Sequence, residues 1–420
     1  MFMKRMILNV AVFIACSFVG GTSTAQNFQI GVYYPLSAED NFDWDYGLMN
    51  LARNGCDHMV VSSAFNRPAS FFAAAKNWNI KCIASYGVLL YAAEFGSDVA
   101  ALTSSIQTRK NYWDDLLYAG DLVGDIVIGT IVSDEPESTG GGVGLTVPQQ
   151  DFIRAYCDIY HTINNPTRST YVNHSNPPWH DLHEDKVTAT MGPIININAS
   201  EIDERIAEAQ RLGFANYGVA SHAIRFAERI TNGASAFASG FSPPFTQGFY
   251  DWLDSRTNYQ DVYEMMETAF LQGANGYNVW TYNEPSSGYS LVDVDGNDYN
   301  GRMRAYGDAA RDIRAVQGWP MITLARKIST RNTPHLRDRR KYPSGSITLV
   351  AIAGLGNSSI DKVVFGKSTN GGAFWTTVED NSFPYETTFS LLAGETVILR
   401  AQAVDTAGQG SIYAASMIYV

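Results

Sequence analysis

Cysteine, histidine and positive charge are all scarce in this chain. It holds 4 cysteines and 7 histidines among 420 residues, with 30 basic against 42 acidic side chains. The formal net charge of -12 argues against nucleic acid or an anionic membrane as the main partner. The spacing of Cys and His matches no zinc pattern, so neither a metal nor a cofactor is expected. Gly140-Gly141-Gly142 has no following lysine and makes no nucleotide loop. No Gly-x-Ser-x-Gly elbow precedes a helix. Beyond the N-terminus no apolar run is long enough to span a bilayer.

Residues 1–25 read as a secretory signal. Lys4 and Arg5 precede an apolar stretch from 6 to 19, and Ser23-Thr24-Ala25 supplies the small residues of a cleavage site. Lipidation at Cys16 is the weaker alternative, because Phe13 stands where such signals prefer Leu. The expected location is therefore extracellular or periplasmic. The processed chain keeps Cys56, Cys82 and Cys157, an odd set that cannot pair completely. Cys56 and Cys82 adjoin neighbouring expected strands, where either a disulfide or two buried thiols fits. Nothing in the sequence sets an oligomeric state.

Hydrophobic residues make up 45% of the chain, enough for a large core. Strands are expected at 28–34, 58–65, 80–86, 126–132, 169–174, 186–191, 215–222 and 276–282. Helical patterns lie over 44–54, 68–78, 104–118, 147–163, 200–212, 258–272 and 300–316. Eight strand–helix alternations over about 300 residues predict an eight-stranded parallel (β/α)8 barrel, a TIM barrel, over 26–324. Residues 325–344 carry seven basic side chains (Arg326, Lys327, Arg331, Arg337, Arg339, Arg340, Lys341) with little apolar periodicity. They read as a solvated linker. From 345 to 420 apolar and polar residues alternate between Gly-, Asn- and Ser-rich turns, which predicts a small antiparallel β-sandwich. The fold class is α/β with an all-β appendage.

The stretch 125–137 (DIVIGTIVSDEPE) organises the first part. A β-branched run suited to a strand buried on both faces ends in Ser133-Asp134-Glu135-Pro136. Ionised side chains there are costly unless they open to solvent or ligand. Pro136 holds Glu135 extended. Barrel strands carry their working residues at their C-terminal ends. Those ends offer Tyr33, Tyr34, Tyr86, Asp134, Glu135, Asn173, His174, His222, Trp280, Tyr282 and Glu284, with Trp179 after a Pro-Pro pair. The set is aromatic, amide and carboxylate. Such groups suit cleavage of a glycosidic bond, which needs an acid for the leaving oxygen and a group that stabilises an oxocarbenium-like centre. Asp293, Asp295, Asn297 and Asp298 lack the Glu a calcium loop requires and read as a hairpin turn.

Ser133-Asp134-Glu135-Pro136 resembles the Asn-Glu-Pro or Asp-Glu-Pro ending of barrel glycoside hydrolases. Residues 276–282 (GYNVWTY) resemble their last strand, and 291–296 the hairpin after it. The C-terminal part resembles bacterial immunoglobulin-like modules of secreted polysaccharide-degrading enzymes. The resemblance implies Glu135 as general acid/base and Trp280 under the sugar. It departs at strand seven, which ends Ala220-Ser221-His222-Ala223 without the usual nucleophilic Glu. Either Glu284 faces Glu135, or Asp134 and Glu135 act as an adjacent pair, as in hexosaminidase-like barrels. Two close carboxylates push one pKa up. Tyr34, Tyr86, Asn173, His174, Trp179, His222, Trp280 and Tyr282 are the expected substrate-binding residues. The rival reading is a non-catalytic carbohydrate-binding or adhesion protein.

Overall fold

A computed structural model describes residues 28–34, 44–61, 69–85, 126–134, 169–173, 189–193, 216–222, 259–271, 276–280, 282–283, 290–293, 295–327 and 336–420, with a few positions between 100 and 108. The expected signal at 1–25, Cys157 and the expected helices at 147–163 and 200–212 lie outside the described residues, as does most of the one at 104–118.

The chain is a mixed α/β protein. Eight strands pair in parallel and in chain order: β1 (Gln29–Tyr34), β2 (His58–Val61), β3 (Lys81–Ser85), β4 (Val127–Asp134), β5 (Ser169–Asn173), β6 (Ala189–Pro193), β7 (Asn216–His222) and β8 (Gly276–Trp280). β8 returns to pair with β1, so the sheet closes as a barrel without a free edge. β6 starts later than expected, at Ala189, and β4 runs on through Ser133 to Asp134.

Around the barrel lie α1 (Trp44–Arg53), α2 (Ala69–Asn77), α3 (Tyr259–Leu271) and α4 (Arg302–Val316). On α4, Ala305, Tyr306, Ala309, Ala310 and Ile313 recur at helical spacing and are all buried. The chain leaves α1 through Gly55 at φ 83, a left-handed position that suits glycine. Tyr259 and Tyr263 donate hydroxyls to Asp308 (2.9 Å) and Asp312 (2.5 Å). Both pairs are four residues apart, so one face of α3 meets one face of α4.

The basic stretch 325–344 is not a free linker. Its first two residues end β9 (Met321–Arg326), which pairs antiparallel with β11 (Gly345–Gly354). Arg340–Lys341 form β10, which pairs parallel with β16 (Ala414–Tyr419). That parallel pair departs from the expected all-antiparallel sandwich. The remaining strands are β12 (Ile360–Ser368), β13 (Thr376–Asp380), β14 (Tyr385–Leu391) and β15 (Thr396–Asp405). They complete a sheet ordered β10-β16-β15-β12-β13 and one ordered β14-β11-β9.

Alternating residues of both sheets fill one core: Ile347, Leu349 and Ala351 meet Val363, Phe365, Phe389, Leu391, Val397, Leu399, Ala401 and Ala403. The other face of β15 turns to the barrel. There Arg400 lies over Trp375 (3.8 Å), Tyr413 (4.9 Å) and Trp78 (5.1 Å), and donates to the Asn77 carbonyl at the end of α2 (2.5 Å). Asn77 in turn donates to the carbonyls of Gly372 and Ala373.

Candidate active site at the barrel mouth

The strand ends form one rim, and the register says which of them share a pleat. Asp134 lies opposite Asn173, and His222 lies opposite Trp280. Asn173 pairs with Met191, Met191 with Gly218, and Gly218 with Gly276, two residues before Asn278. Asp134, Asn173, His222 and Trp280 therefore all occupy the pleat of Asn278, which pairs with Gly31 and, through it, His58.

Asp134 reaches this pleat through an irregularity. The pairing runs Ile131–Tyr171, then Ser133–Val172, then Asp134–Asn173, so Val132 is an extra residue on β4. In an unbroken strand Ser133 would lie opposite Asn173 and Asp134 on the other pleat. Bulges of this kind commonly re-aim residues beside working sites. Glu135 and Glu284 lie outside the described residues, as do Tyr86, His174 and Trp179.

The two tyrosines that end β1 lie on different pleats. Tyr34 ends β1 on the pleat of Ile30 and Val32, which are fully buried, whereas Tyr33 shares the pleat of Gly31. The expected wall residue Tyr282 is fully buried, with its hydroxyl accepting a hydrogen bond from Asn50 Nδ2 on α1 (3.1 Å). It is a packing and hydrogen-bonding residue between β8 and α1, not a wall of the mouth.

Beneath the rim lies a polar floor. His58 Nε2 is 2.7 Å from Asn278 Oδ1. An amide oxygen only accepts, so Nε2 carries the hydrogen. Burial pushes the His58 pKa down, against the raising effects of Asp57 and the Asn278 bond. Gly31 makes room for the pair, since a Cβ there would lie 2.1 Å from Asn278 Oδ1 and 2.2 Å from His58 Nε2. Asn278 stands two residues before Trp280, about 7 Å lower along the strand. In sequence, the two-residue step from Asn278 to Trp280 marks them as one pleat.

Neither described cysteine suits nucleophilic work. Cys56 and Cys82 are free, buried thiols. Burial pushes the Cys56 thiol up to about 12, and Cys82 shifts in the same direction for the same reason. Among the described residues no cluster of His, Cys, Asp or Glu is arranged to hold a metal. Asp293 is spent on a turn: its Oδ1 accepts the backbone N–H of Asp295 (2.9 Å) and Asn297 (2.8 Å). The hairpin expected there is what forms. Among the described residues no helix is long and apolar enough to cross a membrane.

No family model matches the chain, and no curated protein matches it in sequence. Solved structures similar to it include an FMN-binding β-glucuronidase from Facaelibacterium prausnitzii L2-6, at 11% identity and TM-score 0.47 over 94% of this chain and 56% of that one. A putative β-galactosidase from Bacteroides fragilis aligns at 11% identity and TM-score 0.44, over 93% of this chain and 55% of that one. Gas2p of Saccharomyces cerevisiae, in complex with laminaripentaose, aligns at 12% identity and TM-score 0.41, over 69% and 66%. The chain spans about half the length of the first two.

Proposed function

We propose that the protein is a secreted glycoside hydrolase acting on a poly- or oligosaccharide, its barrel of the (β/α)8 type and its sandwich immunoglobulin-like. The observation that carries this reading is the register at the mouth, where Val132 shifts Asp134 onto the pleat of Asn173, His222 and Trp280. A carboxylate, an amide, an imidazole and an indole on one rim can hydrogen-bond sugar hydroxyls and stack on a ring face. Glu135 follows directly and is held extended by Pro136. In this reading Glu135 donates its proton to the leaving glycosidic oxygen as the C–O bond breaks, then takes one from the incoming water. The positive charge at the anomeric carbon is met by Glu284, or by a substrate acetamido group that Asp134 orients. Trp280 floors the sugar, and Asn173, His174, His222, Tyr86 and Trp179 bind around it.

Glu135→Gln tests the assignment, because the amide keeps the shape and removes the transferable proton. Release of reducing ends or of an aryl aglycone should fall about 10²–10⁴-fold while sugar binding persists. Loss of binding and turnover together would make Glu135 structural. A second reading, a non-catalytic carbohydrate-binding protein, is favoured by β7 ending at His222 with no carboxylate. Binding without any release by the unmodified protein, across polysaccharides and aryl glycosides, would establish that reading and end the enzymatic one.

A further inference from the structure

The segment that follows β8 is held at two points from outside the barrel. Its first described residue beyond the strand, Tyr282, accepts a hydrogen bond from Asn50 Nδ2 (3.1 Å). Asn50 Oδ1 accepts from Arg53 Nε (3.0 Å), and the Arg53 guanidinium forms an ion pair with Asp338. The other carboxylate oxygen of Asp338 is anchored in the sandwich, accepting from Ser416 Oγ (2.8 Å) and the Met417 N–H (3.0 Å) of β16. Three side chains, Asp338, Arg53 and Asn50, thus join β16 to the residue two places beyond β8.

The second hold comes from the next residue. Arg339 is pinned to β16 by its N–H to the Met417 carbonyl (2.7 Å). It adopts φ 52, a left-handed conformation that a side chain bearing a Cβ rarely takes. Its guanidinium stacks 3.7 Å over Tyr46 at the start of α1 and donates to the Asp295 carbonyl (2.8 Å). Asp295 sits in the tight turn that Asp293 closes. In sequence, Tyr282 and Asp295 bracket Glu284 and the stretch that leads from the rim to α4. A backbone-strained residue retained at such a contact points to a positional demand.

We propose that the C-terminal sandwich is a positioning element of the barrel mouth, with Asp338 fixing Tyr282 through Arg53 and Asn50, and Arg339 fixing the Asp295 turn. Charge-assisted hydrogen bonds in a partly buried chain are directional, so they set where Tyr282 and the Asp295 turn stand as well as how firmly. Small displacements of a working group are costly in rate. The positioning of this segment follows from the contacts alone; its catalytic consequence rests on the hydrolase reading above. Asp338 and Arg339 are positioning residues and touch no substrate in this account.

The test uses the full chain with Asp338→Asn, Arg339→Ala and the conservative Arg339→Lys, read by amide hydrogen exchange and by thermal unfolding. Exchange over residues 282–300 should rise about tenfold or more in Arg339→Ala and Asp338→Asn, the loss of one charge-assisted hydrogen bond being worth about that factor. Exchange in β15 should stay unchanged, and Arg339→Lys should restore part of the protection. With an aryl glycoside, kcat should fall with KM little altered. Unchanged exchange over 282–300 in both variants would overturn the proposal, as would a uniform rise across the sandwich and barrel. Raised exchange in a protein that proves to lack glycosidase activity would leave the positioning intact and remove only the hydrolase reading.

Discussion

A buried, neutral histidine makes the barrel floor sensitive to acid. His58 donates from Nε2 to Asn278 Oδ1, and its Nδ1 has no hydrogen-bond partner among the described residues. Burial lowers its folded-state pKa below the 6.5 of the free side chain. In the window between those two values the unfolded chain binds the proton and the folded chain does not. Stability is therefore fully present above pH 6.5 and is lost as pH falls toward the folded value. Thermal midpoints measured from about pH 7.5 down to about pH 5 should fall for the unmodified protein, as linkage requires. His58→Gln keeps a donor toward Asn278 and cannot titrate. It should start less stable and show a shallower decline over the same window; an identical decline would assign the acid sensitivity to other groups. His58 stands in a run of apolar residues, HMVV, and its polarity is visible there. Its partner is not, because 220 residues separate His58 from Asn278 and only barrel closure brings β2 and β8 to either side of Gly31. The rim is the converse case. Asp134 and Asn173 are legible as strand endings, but their shared pleat depends on one unpaired residue, Val132, that no alternation of polarity reveals.

Between elements, the least regular contact is the one Arg400 makes. It projects from β15, a strand whose other face lies in the sandwich core, and is layered against Trp375, Tyr413 and Trp78 while capping the last carbonyl region of α2. Burial lowers its pKa, and no carboxylate pairs with it among the described residues. Its hold comes from planar stacking and from the partial negative charge at a helix C-terminus. Lysine keeps the charge and loses the plane. Arg400→Lys should cost about 1–2 kcal/mol, read as a lower urea midpoint at unchanged slope. No change in midpoint would mean that the rings pack without the cation. The alternation in 396–405 places Arg400 opposite the core side of β15, and a face opposite a core is ordinarily solvent. The sequence therefore gives no sign that this face is covered. The stretch 325–344 misleads in the same way. Dense positive charge with weak apolar periodicity has the texture of a solvated linker, yet Arg326 lies over Tyr342 and Arg339 over Tyr46, each beside a partner distant in sequence or on another element. In β14, Thr387 and Thr388 blur an alternation that Tyr385, Phe389 and Leu391 otherwise carry.

For the whole molecule, these contacts decide whether barrel and sandwich are one thermodynamic unit. Helix α1 has the barrel on one side and β16 on the other, with Tyr46, Leu48, Met49, Asn50, Leu51 and Ala52 all buried. Trp78, just past α2, is 1% exposed and packs edge-on against Trp375 and Tyr413 of the sandwich. Ile398 and Met417, on the barrel-facing side of their sheet, are equally buried. Domains joined by a flexible linker and a small polar interface move and melt separately. Here the junction is continuous chain, since β9 begins three residues after Gly318 and enters the sandwich directly. The junction also buries Ile398, Met417 and the Trp78 indole and is ion-paired through Arg53 and Asp338. Calorimetry of the full chain should therefore give a single transition whose calorimetric and van't Hoff enthalpies agree. A chain ending at Trp319 would leave the outer face of α1 and the Trp78 indole in water, and should show no cooperative transition of its own. Two resolved transitions in the full chain, the first unchanged when residues 320–420 are removed, would instead show a barrel that folds without its sandwich.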